Sequence, residues 1–361
     1  MHRDARRAGL ARDEGTGTPG PVEGEGHRPE AAREGSAKVV PVDRHDEPRP
    51  GRPDHLLPVL VLEVRVLPAD PVVTHGGLSA GMGGAVHGDV GDRVTVPFVC
   101  GCGRCSWCAA GEAQVCPDQE QPGFTHWGSF AEQVALHAAD TNLVALPESV
   151  DFATAASLGC RFATAYRALV ARARLTKGEW VTVVGAGGVG LSAVMIARAL
   201  GARVVAVDRN PAALAVAADL GAEHTVLAGG DVGADVEATI MDLTDGGAHV
   251  AVDAVGSEQT CATALLSLRR RGRHVQVGLL PPVDGHPRAP MSRVIGWEID
   301  VLGSHGMAAV DYPGMLALIE SGALAPQRLV ERVIGLDEAV ALLPGFDTAS
   351  VAGMTIIDPA R

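Results

Sequence analysis

The sequence predicts an α/β protein built around a doubly wound parallel sheet. Between residues 155 and 300, short apolar runs rich in β-branched residues alternate with segments of helical period, and glycines mark the turns. The 361 residues are enough for two domains, and 47 % apolar against 20 % charged residues is a globular composition. Strands that alternate with helices in this way form parallel sheets that helices cover on both faces.

The elements of this sheet follow one another in a regular order. A buried strand at Trp180–Val184 leads into a glycine-rich turn and a helix with apolar positions at 189, 193, 196, 197 and 200. The next strand, RVVAV, ends at Asp208, and the later segments bring the sheet to about six strands. These segments are AALAVAADLGAEHTVLA (helix and strand), DVEATIMDLT (helix), HVAVDAVG (strand), CATALLSLRRRG (helix), RHVQVGLLP (strand) and EIDVLGSHG (strand). The C-terminal segment from Asp311 predicts two amphipathic helices around a short strand.

The glycine-rich turn predicts a dinucleotide site. Gly185, Gly187 and Gly190 form a G-x-G-x-x-G pattern between a strand and a helix, with Gly188 and Val189 inside it. Gly185 permits the tight turn, Gly187 lets the backbone approach a pyrophosphate, and Gly190 lets helix and strand pack closely. The free N–H groups at the start of the helix then face the phosphates.

The ends of the neighbouring strands supply further candidate cofactor residues. Asp208 can accept hydrogen bonds from the ribose hydroxyls and would repel a 2′-phosphate, which favours NAD over NADP. The adjacent Arg209 weakens that preference, because an arginine can accommodate a 2′-phosphate. Ligands of such sheets bind at the carboxyl ends of the strands, which indicates four neighbours of the nicotinamide: Val255, Val277, Gly278 and Leu279.

Residues 1–89 have an anomalous composition. Before Phe98 there is no Phe, Tyr, Trp, Ile, Asn, Gln or Cys, and six of the thirteen histidines fall there. Only the run from Leu56 to Pro68 looks able to form strand. The segment is either a disordered leader or an out-of-frame stretch of a GC-rich gene, and the nucleotide sequence decides between them.

Charge and composition exclude several classes of partner. The net charge of −13 argues against a nucleic-acid surface or an anionic membrane. No apolar run reaches the roughly 18 residues that span a bilayer, and the N-terminus lacks the apolar region of a secretory signal. We therefore expect a cytoplasmic protein, in which clustered cysteines indicate a metal site rather than disulfides.

Five of the seven cysteines lie between residues 100 and 116. Cys102, Cys105, Cys108 and Cys116 have the spacing C-x2-C-x2-C-x7-C, which suits a closed tetrahedral zinc site; an iron–sulfur cluster is the alternative. Four thiolates leave no open position for a substrate. Cys100 is expected to be a bystander, although it could replace Cys102. From spacing alone, Cys160 and Cys261 are expected to be buried core thiols.

The chain resembles zinc-dependent medium-chain alcohol dehydrogenases from about Val90 to its end. The motifs that carry the resemblance occur in the family's order: VGDRVTVPF, the four-cysteine loop, GSFAEQV, LGCRFATAYRAL, VVGAGGVGL, VVAVD and VGLLP. The resemblance implies a GroES-like, β-rich catalytic domain formed by residues 90–154, which include the zinc lobe, and 301–361. It also implies that a Rossmann NAD-binding domain, residues 155–300, is inserted into this catalytic domain.

The same resemblance implies roles for individual residues. The four-cysteine loop corresponds to the structural zinc lobe, Cys160 to a ligand of the catalytic zinc, and Thr164 to a position near the nicotinamide. The implied reaction transfers a hydride between an alcohol or aldehyde and NAD, and the implied assembly is a homodimer or homotetramer.

Two ligands of the implied catalytic zinc have no clear counterpart. No cysteine precedes Cys100, and neither His75 nor His87 is followed by Glu as the family's histidine ligand is. The alternative is therefore an impaired chain that binds NAD and one structural zinc. A zinc-free quinone-type reductase is disfavoured by the four-cysteine lobe. His126 and Trp127 either line the substrate cleft or form a surface turn.

Overall fold

The computed structural model describes residues 59–61, 64–65, 92–229, 235–281, 285–345 and 353–361. All of them fall within one compact unit, His55–Arg361. His75 and His87 lie outside the described residues.

The first elements form a small β-rich part of the molecule. They are β1 (Val59–Val61), β2 (Val64–Arg65), β3 (Arg93–Thr95), α1 (Ser106–Ala109), α2 (Ala139–Asn142) and β4 (Val144–Ala145). Strand β3 lies between β2 and β4 in an antiparallel sheet. Both β1 and β2 fall within the run from Leu56 to Pro68 that the sequence singled out.

A continuous helical segment links this part to the large sheet. Helix α3 (Phe152–Ser157) begins at Asp151, whose carboxylate accepts a hydrogen bond from the Thr154 N–H at 2.8 Å. A π-helical turn (Leu158–Phe162) follows, and then α4 (Ala163–Arg167) and a second π turn (Ala168–Arg172). Wide turns of this kind are frequent at functional sites, and the first of them contains Cys160.

The central sheet contains six parallel strands, as the sequence predicted. Its elements, in chain order, are β5 (Trp180–Val184), α5 (Gly188–Ala199), β6 (Arg203–Asp208), α6 (Pro211–Asp219), β7 (His224–Leu227), α7 (Val236–Leu243), β8 (Ala248–Asp253), α8 (Glu258–Leu266), β9 (Leu268–Gln276), α9 (Met291–Trp297) and β10 (Asp300–Gly303). The spatial order is β10-β9-β8-β5-β6-β7. The strand order reverses between β5 and β8, so the crevice for a ligand opens at their carboxyl ends.

Hydrophobic clusters cover both faces of this sheet. One joins α5 and the 152–172 helical segment to one face, with Phe162, Leu191 and Ile196 at no more than 1 % exposure. The other packs α7 and α8 on the opposite face around residues such as Ile240 and Leu265. The doubly wound fold class is therefore confirmed.

The C-terminal part returns to the β-rich region. It consists of α10 (Tyr312–Glu320), β11 (Val330–Ile334), α11 (Leu336–Leu342) and β12 (Met354–Ile357). Strand β12 lies between β1 and β11 and is parallel to both. Helices α10 and α11 on either side of β11 form the arrangement that the sequence predicted. The structure contains in addition the strand β12, which the sequence did not predict.

The sequence placed one helix–strand boundary wrongly. The run CATALLSLRRRG was expected to be helical throughout, but α8 ends at Leu266 and β9 begins at Leu268. The Ser267 hydroxyl donates to the Ala264 carbonyl at 2.9 Å where the helix ends, and Leu268 is completely buried in the second cluster. Burial of Leu268 outweighs the helical propensity of the arginines that follow. Strand β9 also ends earlier than predicted, at Gln276, before VGLLP.

No helix in the described part of the chain has the length and the apolar character that crossing a membrane requires.

Arg167 on α4 joins three separate segments. Its guanidinium donates to Glu112 Oε2 at 2.5 Å, next to the cysteine loop, and to Asp311 Oδ2 at 3.0 Å, just before α10. The Arg167 side chain is 9 % exposed and the two carboxylates are about 40 % exposed (42 % and 41 %). Arginine can bridge two carboxylates because its guanidinium presents donors in several directions.

We predict that Arg167→Met lowers the free energy of unfolding by about 1–3 kcal/mol, since two charge-assisted hydrogen bonds to partly exposed partners are lost. Urea denaturation measures the change. Arg271→Met is the matched control, because Arg271 is 83 % exposed and only 3.9 Å from its ion-pair partner Glu298. Equal stability of the two variants would contradict a bridging role for Arg167.

Candidate cofactor cleft and cysteine metal centre

The turn between β5 and α5 has the backbone that a dinucleotide site requires. Gly185 has φ +97°, and a Cβ on it would lie 2.4 Å from Val255 Cγ2. A Cβ on Gly190 would lie 1.7 Å from the Gly185 carbonyl oxygen, so helix and strand are in backbone contact there. The roles that the sequence predicted for these two glycines therefore have a steric basis.

The next two glycines of the turn face different surroundings. A Cβ on Gly187 would meet nothing within 4 Å, which leaves an open cradle against the backbone. A Cβ on Gly188 would lie 2.4 Å from Cδ of Arg161 and 2.8 Å from one of its guanidinium nitrogens. Helix α5 starts at Gly188, and Val189 lies in its first turn. The free N–H groups of this turn therefore lie next to both the open cradle and the Arg161 side chain.

Asp208 ends β6 beside this turn. Its carboxylate accepts hydrogen bonds from the Ala186 N–H at 2.6 Å and the Asn210 N–H at 2.8 Å, one on each oxygen. Each oxygen keeps a second lone pair that can accept a ribose hydroxyl. Arg209 follows and is exposed. The residues of the turn and of the β6 end thus fit a dinucleotide with a free 2′-hydroxyl.

The ends of β8 and β9 complete the cleft with apolar surface. Val255 and Leu279 are each 52 % exposed, and Val277 and Gly278 between these strand ends are half-buried. A Cβ on Gly278 would lie 2.3 Å from the Gly256 nitrogen, so the two loops are in backbone contact. Exposed apolar side chains at this edge can cover a flat ring.

Asp253 organises these loops, and the sequence reasoning missed it. It is fully buried; Oδ1 accepts from the N–H groups of Val255 and Gly256, at 2.9 and 3.0 Å, and Oδ2 accepts from the Gln276 amide at 2.9 Å. An acidic residue at the end of the buried strand HVAVD was the signal that could have identified it.

The four-cysteine loop forms a compact group of donors. The Sγ atoms of Cys102, Cys105, Cys108 and Cys116 all lie within 4.8 Å of one another. The Sγ–Sγ distances from Cys105 are 3.5 Å to Cys108 and 3.6 Å to Cys116, close to the tetrahedron edge of about 3.8 Å implied by zinc–sulfur bonds of about 2.3 Å. The donors therefore fit the predicted closed tetrahedral site.

The thiols of this loop lie in different electrostatic surroundings. The Arg104 N–H lowers the pKa of Cys102 to about 6, whereas burial raises the pKa of Cys108 to about 12 and also raises the pKa of Cys116. A metal that binds the four cysteines therefore has to displace the protons of the Cys108 and Cys116 thiols.

Cys160 occupies the π turn before α4, apart from the four-cysteine group. Burial raises the pKa of its thiol to about 11. In the described part of the chain, no group of three potential metal ligands includes Cys160. The neighbouring Gly159 carbonyl accepts from the Phe98 N–H at 3.0 Å and from the Tyr312 hydroxyl at 3.5 Å. Thr164, four residues on, is buried in α4.

The two remaining cysteines are buried, and the residues of the His126 turn have different surroundings. Cys100 is buried outside the four-cysteine group, and Cys261 is buried in α8, as expected for a bystander and a core thiol. Trp127 is 93 % exposed, whereas His126 is turned towards Glu120.

Two family profiles match the chain. The alcohol dehydrogenase GroES-like domain matches residues 70–148, and the zinc-binding dehydrogenase domain matches residues 188–321. The first match begins 20 residues before Val90, where the motifs of the resemblance begin.

Individual relatives agree with these matches. An alcohol dehydrogenase of Geobacillus stearothermophilus is 38 % identical over 200 residues, 55 % of this chain and 57 % of that protein. The chain thus spans little more than half the length of that relative. An NAD-dependent alcohol dehydrogenase of Sulfolobus acidocaldarius is 30 % identical over 279 residues, 76 % of this chain and 78 % of that protein.

A solved structure extends the similarity to three dimensions. The alcohol dehydrogenase of Aeropyrum pernix superposes with a TM-score of 0.66 at 32 % identity, covering 76 % of this chain and 78 % of that one. Two of these relatives are matched over more than two thirds of their length. With its dinucleotide turn and its cysteine lobe, the chain therefore belongs to the zinc-dependent medium-chain alcohol dehydrogenase family.

Proposed function

We propose that the protein is an oxidoreductase that transfers a hydride between a small alcohol or aldehyde and NAD. The observation that carries the proposal is the open cradle at Gly187, which lies at the carboxyl edge of a doubly wound sheet, next to the Arg161 side chain that packs against Gly188. The relatives, all alcohol dehydrogenases, support the reaction class. None of them supports the alternative of an impaired chain.

The chain's own residues would hold the cofactor at three points. The N–H groups at the start of α5 and the Arg161 guanidinium would bind the pyrophosphate, and Asp208 would bind the adenosine ribose. Val255, Val277, Gly278 and Leu279 would face the nicotinamide, with Thr164 on the helix side. NAD, when bound, supplies the carbon that accepts or donates the hydride.

The carboxylate of Asp208 makes the site selective for NAD. A 2′-phosphate would lie against a carboxylate that already accepts two backbone hydrogen bonds and is held in place by them. Arg209 is exposed beside it and can move towards solvent.

The four-cysteine loop would hold a structural zinc. Because its four thiolates complete the coordination shell, this metal supports the loop and is not open to substrate. The loop is joined to the rest of the molecule through the pair between Glu112 and Arg167.

Cys160 is proposed as a ligand of the family's catalytic zinc, which would polarise a bound alcohol. The described residues supply this one ligand, whereas catalytic zinc sites use three from the protein.

The domain limits and the assembly are proposed on the same basis. Residues 90–154 and 301–361 would form the GroES-like catalytic domain and 155–300 the Rossmann domain. Homo-oligomer formation is supported by β10, an edge strand whose Val301 is 53 % exposed and whose outer edge can pair with a second copy.

The reaction is tested with the purified full-length chain, NAD⁺ and a panel of primary and secondary alcohols, by absorbance of NADH. We expect alcohol-dependent NADH formation, and roughly tenfold or greater preference for NAD⁺ over NADP⁺, about 1.4 kcal/mol. Cys160→Ala should lower kcat/KM by more than about 100-fold, since even outer-shell partners of a metal are worth about 10–100-fold.

Cys261→Ala is the matched control, because that thiol is buried in α8 as part of the hydrophobic cluster on one face of the sheet. A chain that binds NADH tightly but oxidises no alcohol, with every tested metal supplied, would refute the proposed reaction.

For the structural zinc, we predict that Cys108→Ser removes about one zinc per chain and makes the loop sensitive to protease, because three thiolates do not complete the tetrahedron. Metal analysis and limited proteolysis measure both effects. Cys100→Ser should keep the wild-type zinc content, and a Cys108→Ser chain with unchanged zinc would rule out this site.

For Arg161, we predict that Arg161→Leu raises the Kd for NADH roughly 10- to 100-fold, as expected for loss of a charge-assisted hydrogen bond to phosphate. Arg161→Lys should recover part of the affinity. Adenosine, which carries no phosphate, should bind both variants as it binds the wild type; equal losses for adenosine and NADH would mean that the substitution disturbs the fold instead.

A further inference from the structure

A second group of potential metal ligands lies just after the cysteine loop. Oε2 of Glu120 is 3.3 Å from Nε2 of His126 and 3.4 Å from Nε2 of His137. The three donor atoms all lie within 4.8 Å of one another, and the two imidazole rings are 5.4 Å apart, centroid to centroid. The group shares no residue with the four-cysteine site or with Cys160.

Two of these donor atoms are buried and lack a hydrogen-bond partner. They are Oε2 of Glu120 and Nε2 of His126, two of the six such side-chain atoms in the described part of the chain. Their 3.3 Å contact does not have hydrogen-bond geometry. Buried carboxylate and imidazole atoms are nearly always satisfied, so two that point at one place indicate a ligand between them.

The spacing of the donors fits a tetrahedral metal. Zinc bonds of about 2.0–2.1 Å to nitrogen and oxygen place neighbouring donors about 3.3–3.4 Å apart. The two measured distances equal that edge. Two imidazoles and one carboxylate are also a donor set that zinc uses, with a fourth position left for water.

A hydrogen bond on the far side of one ring sets its orientation. Nδ1 of His126 lies 3.0 Å from the Trp127 carbonyl oxygen, which can only accept, so Nδ1 carries the proton. Nε2 then presents its lone pair to Glu120. Histidine ligands in metal sites are held in the same way, by a hydrogen bond from the second nitrogen.

The backbone holds the three ligands in place without a metal. Glu120 forms two backbone hydrogen bonds of 2.8 Å with Cys100, one in each direction. The buried Asn142 side chain donates to the carbonyls of Gly101, Ala138 and His137 at 2.9, 2.9 and 3.3 Å, which ties the third ligand to the segment that pairs with Glu120.

The backbone next to His137 is also unusual. Ala138 has φ +48°, a left-handed conformation that costs a residue with a Cβ about 1–2 kcal/mol. This turn at Ala138 follows the ligand directly, and residues in such conformations cluster at functional sites.

We propose that Glu120, His126 and His137 bind a zinc ion, with water in the fourth position. The site would fix the 120–137 segment against Cys100 and Gly101, which lead into the cysteine loop. Water can reach it from the side of His137, whose side chain is 65 % exposed. The proposal does not rest on the reaction proposed above.

Zinc stoichiometry and Co²⁺ substitution test the site on the full-length chain. We expect Glu120→Gln and His137→Gln each to lose one zinc per chain relative to wild type and to keep the cysteine-bound metal. Affinity for the lost zinc should fall by more than about 100-fold, since even outer-shell partners are worth about 10–100-fold. Co²⁺ at this site should give visible ligand-field bands without the thiolate charge-transfer band that the cysteine site produces.

Two exposed residues serve as matched controls: Glu132→Gln, a carboxylate in the same segment, and His286→Gln, a distant histidine; both should keep the wild-type zinc content. Unchanged zinc stoichiometry in both Glu120→Gln and His137→Gln would overturn the proposal and leave the group as an ion pair. Because His137 is mostly exposed, its variant should fold even if Glu120→Gln does not.

Discussion

The contact between Gly190 and the Gly185 carbonyl sets the geometry of the whole cleft. With 1.7 Å between that oxygen and any Cβ, only glycine allows α5 to start so close to the end of β5. This close approach lets α5 pack against α4 and the turn before it, which brings Arg161, the residue after Cys160, against Gly188. A side chain at position 190 would separate the phosphate cradle from the helix that carries these two residues.

The metal-binding features are organised around one short strand region. Cys100 pairs with Glu120, Gly101 pairs with the Asn142 side chain, and the four-cysteine loop begins one residue later. The same backbone therefore supports a closed thiolate site on one side and a water-accessible histidine–carboxylate group on the other. The two donor sets suit different tasks, because four thiolates saturate a metal while three mixed ligands leave a position open.

The link from the cysteine lobe to the cleft runs through buried charge. Arg167 lies one helical turn beyond Ala163 and Thr164, and its two carboxylate partners come from the lobe and from the segment before α10. Burial of the guanidinium makes its two partners obligatory, so the position of the lobe and the position of the helix that follows Cys160 depend on each other.

The sequence determined the central fold because its signals are local. Strand β5, the glycine turn and the end of β6 at Asp208 were predicted at their observed bounds, since buried β-branched runs and glycine spacing need no tertiary information. The four-cysteine site could also be predicted from the sequence, because its ligands lie within one short loop. The α8–β9 boundary could not be predicted in this way, because it depends on the burial of Leu268 in a cluster of residues that are distant in the sequence.

The remaining features were decided only by the tertiary structure. Glu120, His126 and His137 are spread over 18 positions without a motif, and a turn, a strand bridge and Asn142 bring their donor atoms together. Arg161 and Asp253 likewise acquire their roles through contacts with Gly188 and Gln276, far away in the chain. Sequence spacing fixes ligands that share one loop, whereas ligands from separate segments meet only when backbone pairing closes the distances between them.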